Sequence, residues 1–124
     1  MNGQNAIEFA PMGDQDHLAS LRLAHSEIDC AMLSDLRART VLRASSHIDQ
    51  PQELLDELGR AAAMFFGDRF GDRCEFCLVT PSRTLVARRL GADGDTALLV
   101  VFAPDVDLGW ARTTTAEACG YFES

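Results

Sequence analysis

His25-Ser26-Glu27 stands upstream of Cys74-Glu75-Phe76-Cys77, which gives an H-x-E … C-x-x-C order. In zinc deaminases residues of these types hold a Zn²⁺ ion while a glutamate moves protons for the attacking water. The pattern here is incomplete, because Arg73 occupies the place of the proline expected before the first cysteine. Deaminase motifs also open helices, whereas the first segment here precedes a strand and the second lies inside one. Residues i and i+3 of a strand point to opposite faces, so Cys74 and Cys77 read as two packed cysteines rather than a metal pair. A disulfide between them fails for the same reason: three residues of strand span ~10 Å, beyond the ~7 Å Cα limit.

The other candidates are weaker. His17 and His47 stand in polar surroundings with no second ligand spaced nearby. Asp93-Gly94-Asp95 and Asp105-Val106-Asp107 invite a cation, but turn and helix-cap roles account for each aspartate. No G-x-S-x-G, H-E-x-x-H or G-x-G-x-x-G occurs, and residues 67–71 (GDRFG) form a loop without a phosphate cradle. Arg88 and Arg89 read as solvated strand-end charges. Trp110 reads as packing rather than a binding anchor. All 11 basic residues are arginine. Without lysine the chain has neither a P-loop nor a Schiff-base enzyme's essential residue. The arginine bias hints at a GC-rich bacterial genome. The expectation is a chain with no catalytic residue, no metal and no cofactor.

The elements that would position these residues follow from periodicity. Residues 1–13 carry no pattern and read as a flexible arm, with a single domain over 14–124. Asp14 or Asp16 can cap a helix to about Ala24, with Leu18, Leu21 and Ala24 as its apolar stripe. Residues 28–34 (IDCAMLS) alternate, Ile28, Cys30 and Met32 against Asp29, Ala31 and Leu33. With residues 40–45 they make an antiparallel hairpin, its loop longer than two residues because no glycine is present. Asp49 and Pro51 open a second helix that runs to Phe66 and ends at Gly67. One stripe on it is Leu54, Leu58, Ala61 and Phe65, and a second is Leu55, Ala62 and Phe66. Residues 74–80, 83–90 and 96–103 are three further strands, turned at Pro81-Ser82 and at residues 91–95. Asp105 or Asp107 caps a last helix over about 108–122, whose buried stripe is Leu108, Ala111, Thr115, Ala118, Cys119 and Phe122.

Residues 96–103 (TALLVVFA) are apolar on both faces: Leu98, Val100 and Phe102 on one, Leu99 and Val101 on the other. Such a strand lies in the middle of a sheet covered on both sides. The expected fold is therefore α/β: a five-stranded antiparallel sheet inside a three-layer α/β/α sandwich. The bulk properties fit one globular domain: 124 residues, 47% hydrophobic and 24% charged. A net charge of −8 repels phosphate backbones and anionic lipids, so neither nucleic acid nor a membrane surface is an expected partner. No apolar run approaches ~20 residues and no signal-peptide pattern stands at Met1 to Asp16, so a cytoplasmic location is expected. The four cysteines read as ordinary free thiols.

A surface argument remains. The helix ending at Phe66 has a wider apolar face than one sheet contact needs, and residues 74–80 form an edge strand if residues 96–103 are central. Pairing two such edges would extend the sheet across a two-fold axis. Leu55, Ala62 and Phe66 on the helix, with Cys74, Phe76 and Leu78 on the strand, are the expected dimer contacts.

Residues 27–122 resemble a bacterial roadblock/dynein-light-chain domain. The segments that carry the resemblance are residues 28–45 (IDCAMLSDLRARTVLRAS), the Leu54-Leu55-x-x-Leu58 helix opening and residues 95–110 (DTALLVVFAPDVDLGW). The resemblance implies the strand order 2-1-5-4-3. It implies homodimers, or heterodimers with a paralogous roadblock subunit, built on the middle helix and third strand. It implies a regulatory or adaptor role beside small Ras-like GTPases or motor complexes, and no catalytic residue. Two departures are the missing aspartate-glycine turn in the first hairpin and the short first helix. In a GTPase complex Glu53, Glu57, Arg60 and Met64 would make the contacts, ordering the GTPase's own catalytic groups. An inserted arginine finger, Arg60 or Arg69, is the less favoured route. A rival reading is a ligand sensor of the PAS, GAF or profilin-like kind. It needs an internal cavity, against which the bulk of Phe65, Phe66, Phe76 and Phe102 argues.

Overall fold

The computed structural model describes residues 13–46, 52–66, 74–91 and 94–122. The expected arm, the helix opening at Asp49 and Pro51, His47, Asp93 and the loop 67–71 with Arg69 lie outside the described residues. The elements run α1 (Asp14–Ala24), β1 (Ile28–Asp35), β2 (Thr40–Ser46), α2 (Gln52–Phe65), β3 (Glu75–Val79), β4 (Thr84–Leu90), β5 (Thr96–Phe102) and α3 (Leu108–Cys119). The strands form one antiparallel sheet in the order β2-β1-β5-β4-β3. This is the order the resemblance implies, with β5 between β1 and β4.

Alternation along β5 divides the core into two layers. Leu98, Val100 and Phe102 pack with Leu18 of α1 and with Ala111, Ala118 and Cys119 of α3. Ala97, Leu99 and Val101 pack with Ala62 and with Phe66 under α2. Each fully buried large side chain of this strand is worth about 1.5–3 kcal/mol relative to exposure. A central strand with two helical covers therefore has little latitude in register, since a one-residue slip exchanges its faces.

Three local readings change. Strict alternation puts Ile28 with Cys30 and Met32. Instead the β1–β5 register shifts between Ile28 and Cys30, so Ile28 joins Ala31 and Leu33 in the layer under α1 and α3. A bulge's extra residue has this effect. The N-cap of α1 is Gly13 with no side-chain bond, and Asp14 and Asp16 lie in the first turn, where the helix dipole favours them. Ala24 is exposed, leaving Leu18 as the fully buried residue of α1. In α3 the expected stripe loses its first residue, since Leu108 is exposed, while Phe122 lies beyond the helix end at Cys119 but still packs, half-buried, on the same core layer. Thr114 is buried as well. Asp107 caps this helix as expected, its Oδ2 accepting from the Trp110 N–H at 2.8 Å.

The first hairpin turns without glycine. Asp35 Oδ1 accepts from the N–H groups of Arg37 and Ala38, both at 2.9 Å, and Arg39 takes a left-handed φ of 59°. Helix α2 comes closest to the sheet at Gly59. A Cβ on Gly59 would stand 3.3 Å from Ser34 Oγ and 3.4 Å from Val41 Cγ2.

Candidate protein-docking face

The outward side of α2 carries Glu53, Glu57, Arg60 and Met64, all exposed. Met64 is 74% exposed and Phe65 beside it 39%. Phe65 stacks on Phe76 of β3 with ring centroids 4.5 Å apart, and Phe76 also meets Phe66 at 5.1 Å. The C-terminal turn of α2 is thereby locked to β3. That strand adds Leu78, 39% exposed, and Val79, 57% exposed. On the α2 side of the sheet Met64, Phe65 and Leu78 thus form one apolar corner, while Val79, with Glu75 and Cys77, belongs to the other face of β3.

The two sheet edges differ. Among the described residues β3 has one strand neighbour, β4, and its other side faces away from the sheet. At the opposite edge, outward carbonyls of β2 are taken by side chains: Gln15 Nε2 donates to Ala44 O at 2.9 Å and Arg43 Nη1 to Leu42 O at 3.0 Å. Side chains used this way blunt an edge against strand pairing.

Of the expected dimer contacts, Leu78 and Cys74 are exposed, and Leu55 and Phe76 are half-buried against the α2 core layer. Ala62 and Phe66 are corrected: they are buried within their own chain, at 0% and 3% exposure, and offer no surface to a second copy. The helix is turned so that this stripe faces the sheet, leaving Met64 and Phe65 outward. Arg88 and Arg89 are also not free strand-end charges. Arg89 Nη2 donates to Phe66 O, and its guanidinium lies 5.1 Å from the Phe66 ring centroid.

On the other face of β3, Glu75 bridges two arginines. Arg88 Nη1 donates to Glu75 Oε2 at 2.7 Å, and Arg112 Nε of α3 donates to Oε1 at 2.8 Å. Burial alone would raise the Glu75 carboxyl, but the hydrogen bonds from Arg88 and Arg112 outweigh it and hold the group below its ordinary value. Cys77 beside it is raised, first by burial and then by the Glu75 charge. Edge strand, neighbouring strand and α3 are so tied together at one carboxylate. A turn at Pro81 and Ser82 sets Glu75 opposite Arg88, so this pair was open to sequence reasoning. The part of Arg112, 37 residues away, was not.

The deaminase constellation is not assembled. His25 lies edge-on to Trp110, centroids 5.3 Å apart, before β1. Three strand spacings, roughly 14 Å, separate β1 from β3. Cys77 packs toward the α1/α3 layer, while Phe76 next to it packs under α2. Among the described residues no group of three His, Cys, Asp or Glu stands close enough to hold a metal ion. His17 stacks on Tyr121 at 5.5 Å. Asp95 lies 3.7 Å from Arg37 across the β1–β2 loop. Trp110 packs edge-on against Phe102 at 5.8 Å. Burial pushes the Cys30 thiol up to about 11, so it is inert at neutral pH.

The space between α2 and the sheet holds a cavity of about 80 Å³ beside Cys30, Leu55 and Leu58. A groove of about 330 Å³ runs between α1 and α3, lined by His17, Leu21, Ala118 and Tyr121 among others. No helix among the described residues is long and apolar enough to cross a membrane.

No protein-family profile matches the sequence, and no curated protein matches it. Solved structures do match. A roadblock/LC7 domain from Streptomyces avermitilis superposes with a TM-score of 0.67 at 16% identity, over 90% of this chain and 93% of that one. MglB of Myxococcus xanthus gives 0.68 at 14% identity, over 90% and 94%. Profilin of Schizosaccharomyces pombe gives 0.63 at 16% identity, over 89% and 96%. Another MglB structure has a tetrameric arrangement, and the Thermus thermophilus MglB is a gliding protein.

Proposed function

With the roadblock fold of this chain as the premise, we propose that it is a non-catalytic regulatory or adaptor protein of the cytoplasm. It pairs with a second copy, or with a paralogous roadblock subunit, through the α2–β3 corner, and the pair docks on a small Ras-like GTPase. The observation that carries the reading is the difference between the edges: among the described residues β3 pairs only with β4 and stands beside the exposed Met64, Phe65 and Leu78, whereas β2 is blunted by Gln15 and Arg43. Two β3 edges meeting across a two-fold axis would bury these side chains and satisfy outward backbone groups together. Pairing also sets two α2 helices side by side, so that Glu53, Glu57 and Arg60 of both copies face one partner. A gliding protein and a tetrameric MglB among the structural neighbours support a role in assemblies of this kind. The test is capture from native cells by the tagged chain. Recovery of a small GTPase, lost with Glu57→Arg, is expected. Recovery unchanged by that substitution refutes this contact surface.

The groove between α1 and α3 favours a second reading, that of a ligand sensor, since its volume reaches the lower end of the ordinary range for small-molecule sites. A thermal-shift screen with nucleotides and metabolites separates the two, because a true ligand raises the melting temperature by mass action.

A further inference from the structure

The groove of about 330 Å³ between α1 and α3 lies on the face of the sheet opposite α2. Helical spacing builds its walls. His17 and Leu21 stand one turn apart on α1, and Thr114 and Ala118 one turn apart on α3. Leu21 is half-buried and both α3 residues are buried, so the floor is mostly apolar. Aromatic rings close one end. The His17 imidazole stacks on Tyr121, centroids 5.5 Å apart at 27°, and meets Phe122 edge-on at 5.7 Å. Tyr121 is 66% exposed, so His17 covers only part of its ring. The volume, at the lower end for small-molecule sites, admits one or two flat rings.

Charge sets the sign of the occupant. Among the described residues that line the groove, Glu117 carries the one carboxylate, and no arginine stands with it. Glu117 is exposed at the rim, one helical turn before Tyr121, and among the described residues it forms no ion pair. The chain's net charge of −8 adds the same sign. A carboxylate beside an aromatic ring attracts an ammonium group twice, through its charge and through the ring face. A phosphate or carboxylate ligand would meet repulsion instead. We propose, resting on the ligand-sensing reading of this groove, that it binds a small aromatic amine in its cationic form. The flat ring lies on Leu21 and Ala118 beside Tyr121, and the ammonium sits at Glu117. The groove borders neither α2 nor β3, so an occupant leaves the pairing corner open.

The test titrates the ¹⁵N-labelled full chain with three compounds of one shape: cationic tryptamine, neutral tryptophol and anionic indole-3-propionate. The expected amide shifts fall at Leu21, Ala118 and Tyr121. Dissociation constants from those shifts rank tryptamine first, about three- to fivefold tighter than tryptophol, with indole-3-propionate weakest. Glu117→Gln brings tryptamine level with tryptophol, while tryptophol binds the variant as before and so shows its groove intact. Tryptophol or indole-3-propionate binding the parent chain as tightly as tryptamine would overturn the amine assignment and leave the ligand-sensing reading standing. A preference that survives Glu117→Gln would do the same. Shifts confined to other elements, or none with any of the three compounds, would overturn the proposal outright, and the screen of nucleotides and metabolites would then decide the ligand-sensing reading separately.

Discussion

Replacing Glu75 by glutamine keeps the side chain's shape and removes the charge that joins Arg88 to Arg112. The carboxylate side chain is 17% exposed, Arg88 32% and Arg112 56%. A solvent-exposed pair is worth about 0–1 kcal/mol, and stranding a charge from a buried pair costs about 3–5 kcal/mol. This half-buried bridge lies between, at about 1–2 kcal/mol, with most of it on the shorter and drier Arg88 side. At about 2.1 cal/mol/K per residue, a chain of 124 residues has an unfolding entropy of about 0.26 kcal/mol/K, so Glu75→Gln lowers the melting temperature by about 4–8 °C at pH 7. The folded carboxyl titrates below its unfolded value. Its contribution is therefore full above about pH 4.3 and fades as the pH falls through the folded value. Urea unfolding of both proteins at pH 7 and at pH 3 checks this, with a gap at pH 7 that is smaller at pH 3. Equal stability at pH 7, or a gap of the same size at pH 3, would refute the bridge as the cause.

Other substitutions probe the frame around this bridge. Phe102→Ala empties a fully buried site against Trp110 and destabilises by about 3–5 kcal/mol in chemical denaturation. Asp107→Ala removes the acceptor for the Trp110 N–H and destabilises by about 1 kcal/mol, with hydrogen exchange rising first at the start of α3. Arg39→Gly relieves a left-handed φ on an exposed residue and raises the unfolding free energy by up to about 1 kcal/mol.

Much of the architecture was legible because it follows from periodicity. The doubly apolar run of β5 admits only a covered, central strand, and the hairpin turns around it leave few topologies. Contacts between distant elements were less legible. Helical spacing names two stripes on α2 but does not say which one faces the sheet. That choice depends on Gly59, whose missing side chain lets the helix settle against Ser34 and Val41. Ala62 and Phe66 were accordingly placed on the wrong side. Ile28 changed layer through a register shift that no side chain announces. Arg88 opposite Glu75 follows from the β3–β4 register, but Arg112 joins them only once α3 has folded back over the sheet. Glu53, Glu57, Arg60 and Met64 are exposed on α2, and Phe65 beside them joins the apolar surface through its stack on Phe76, which helical spacing alone does not reveal.

Light scattering of the purified chain, beside a Leu78→Asp/Val79→Asp variant, tests the pairing directly. Both side chains are exposed in the single chain, so the variant keeps its fold and its circular dichroism. The expected masses are about two chains for the parent and one for the variant at micromolar concentration. A monomeric parent, or a folded variant that still pairs, would contradict the assignment of the β3 edge as the site where two copies meet.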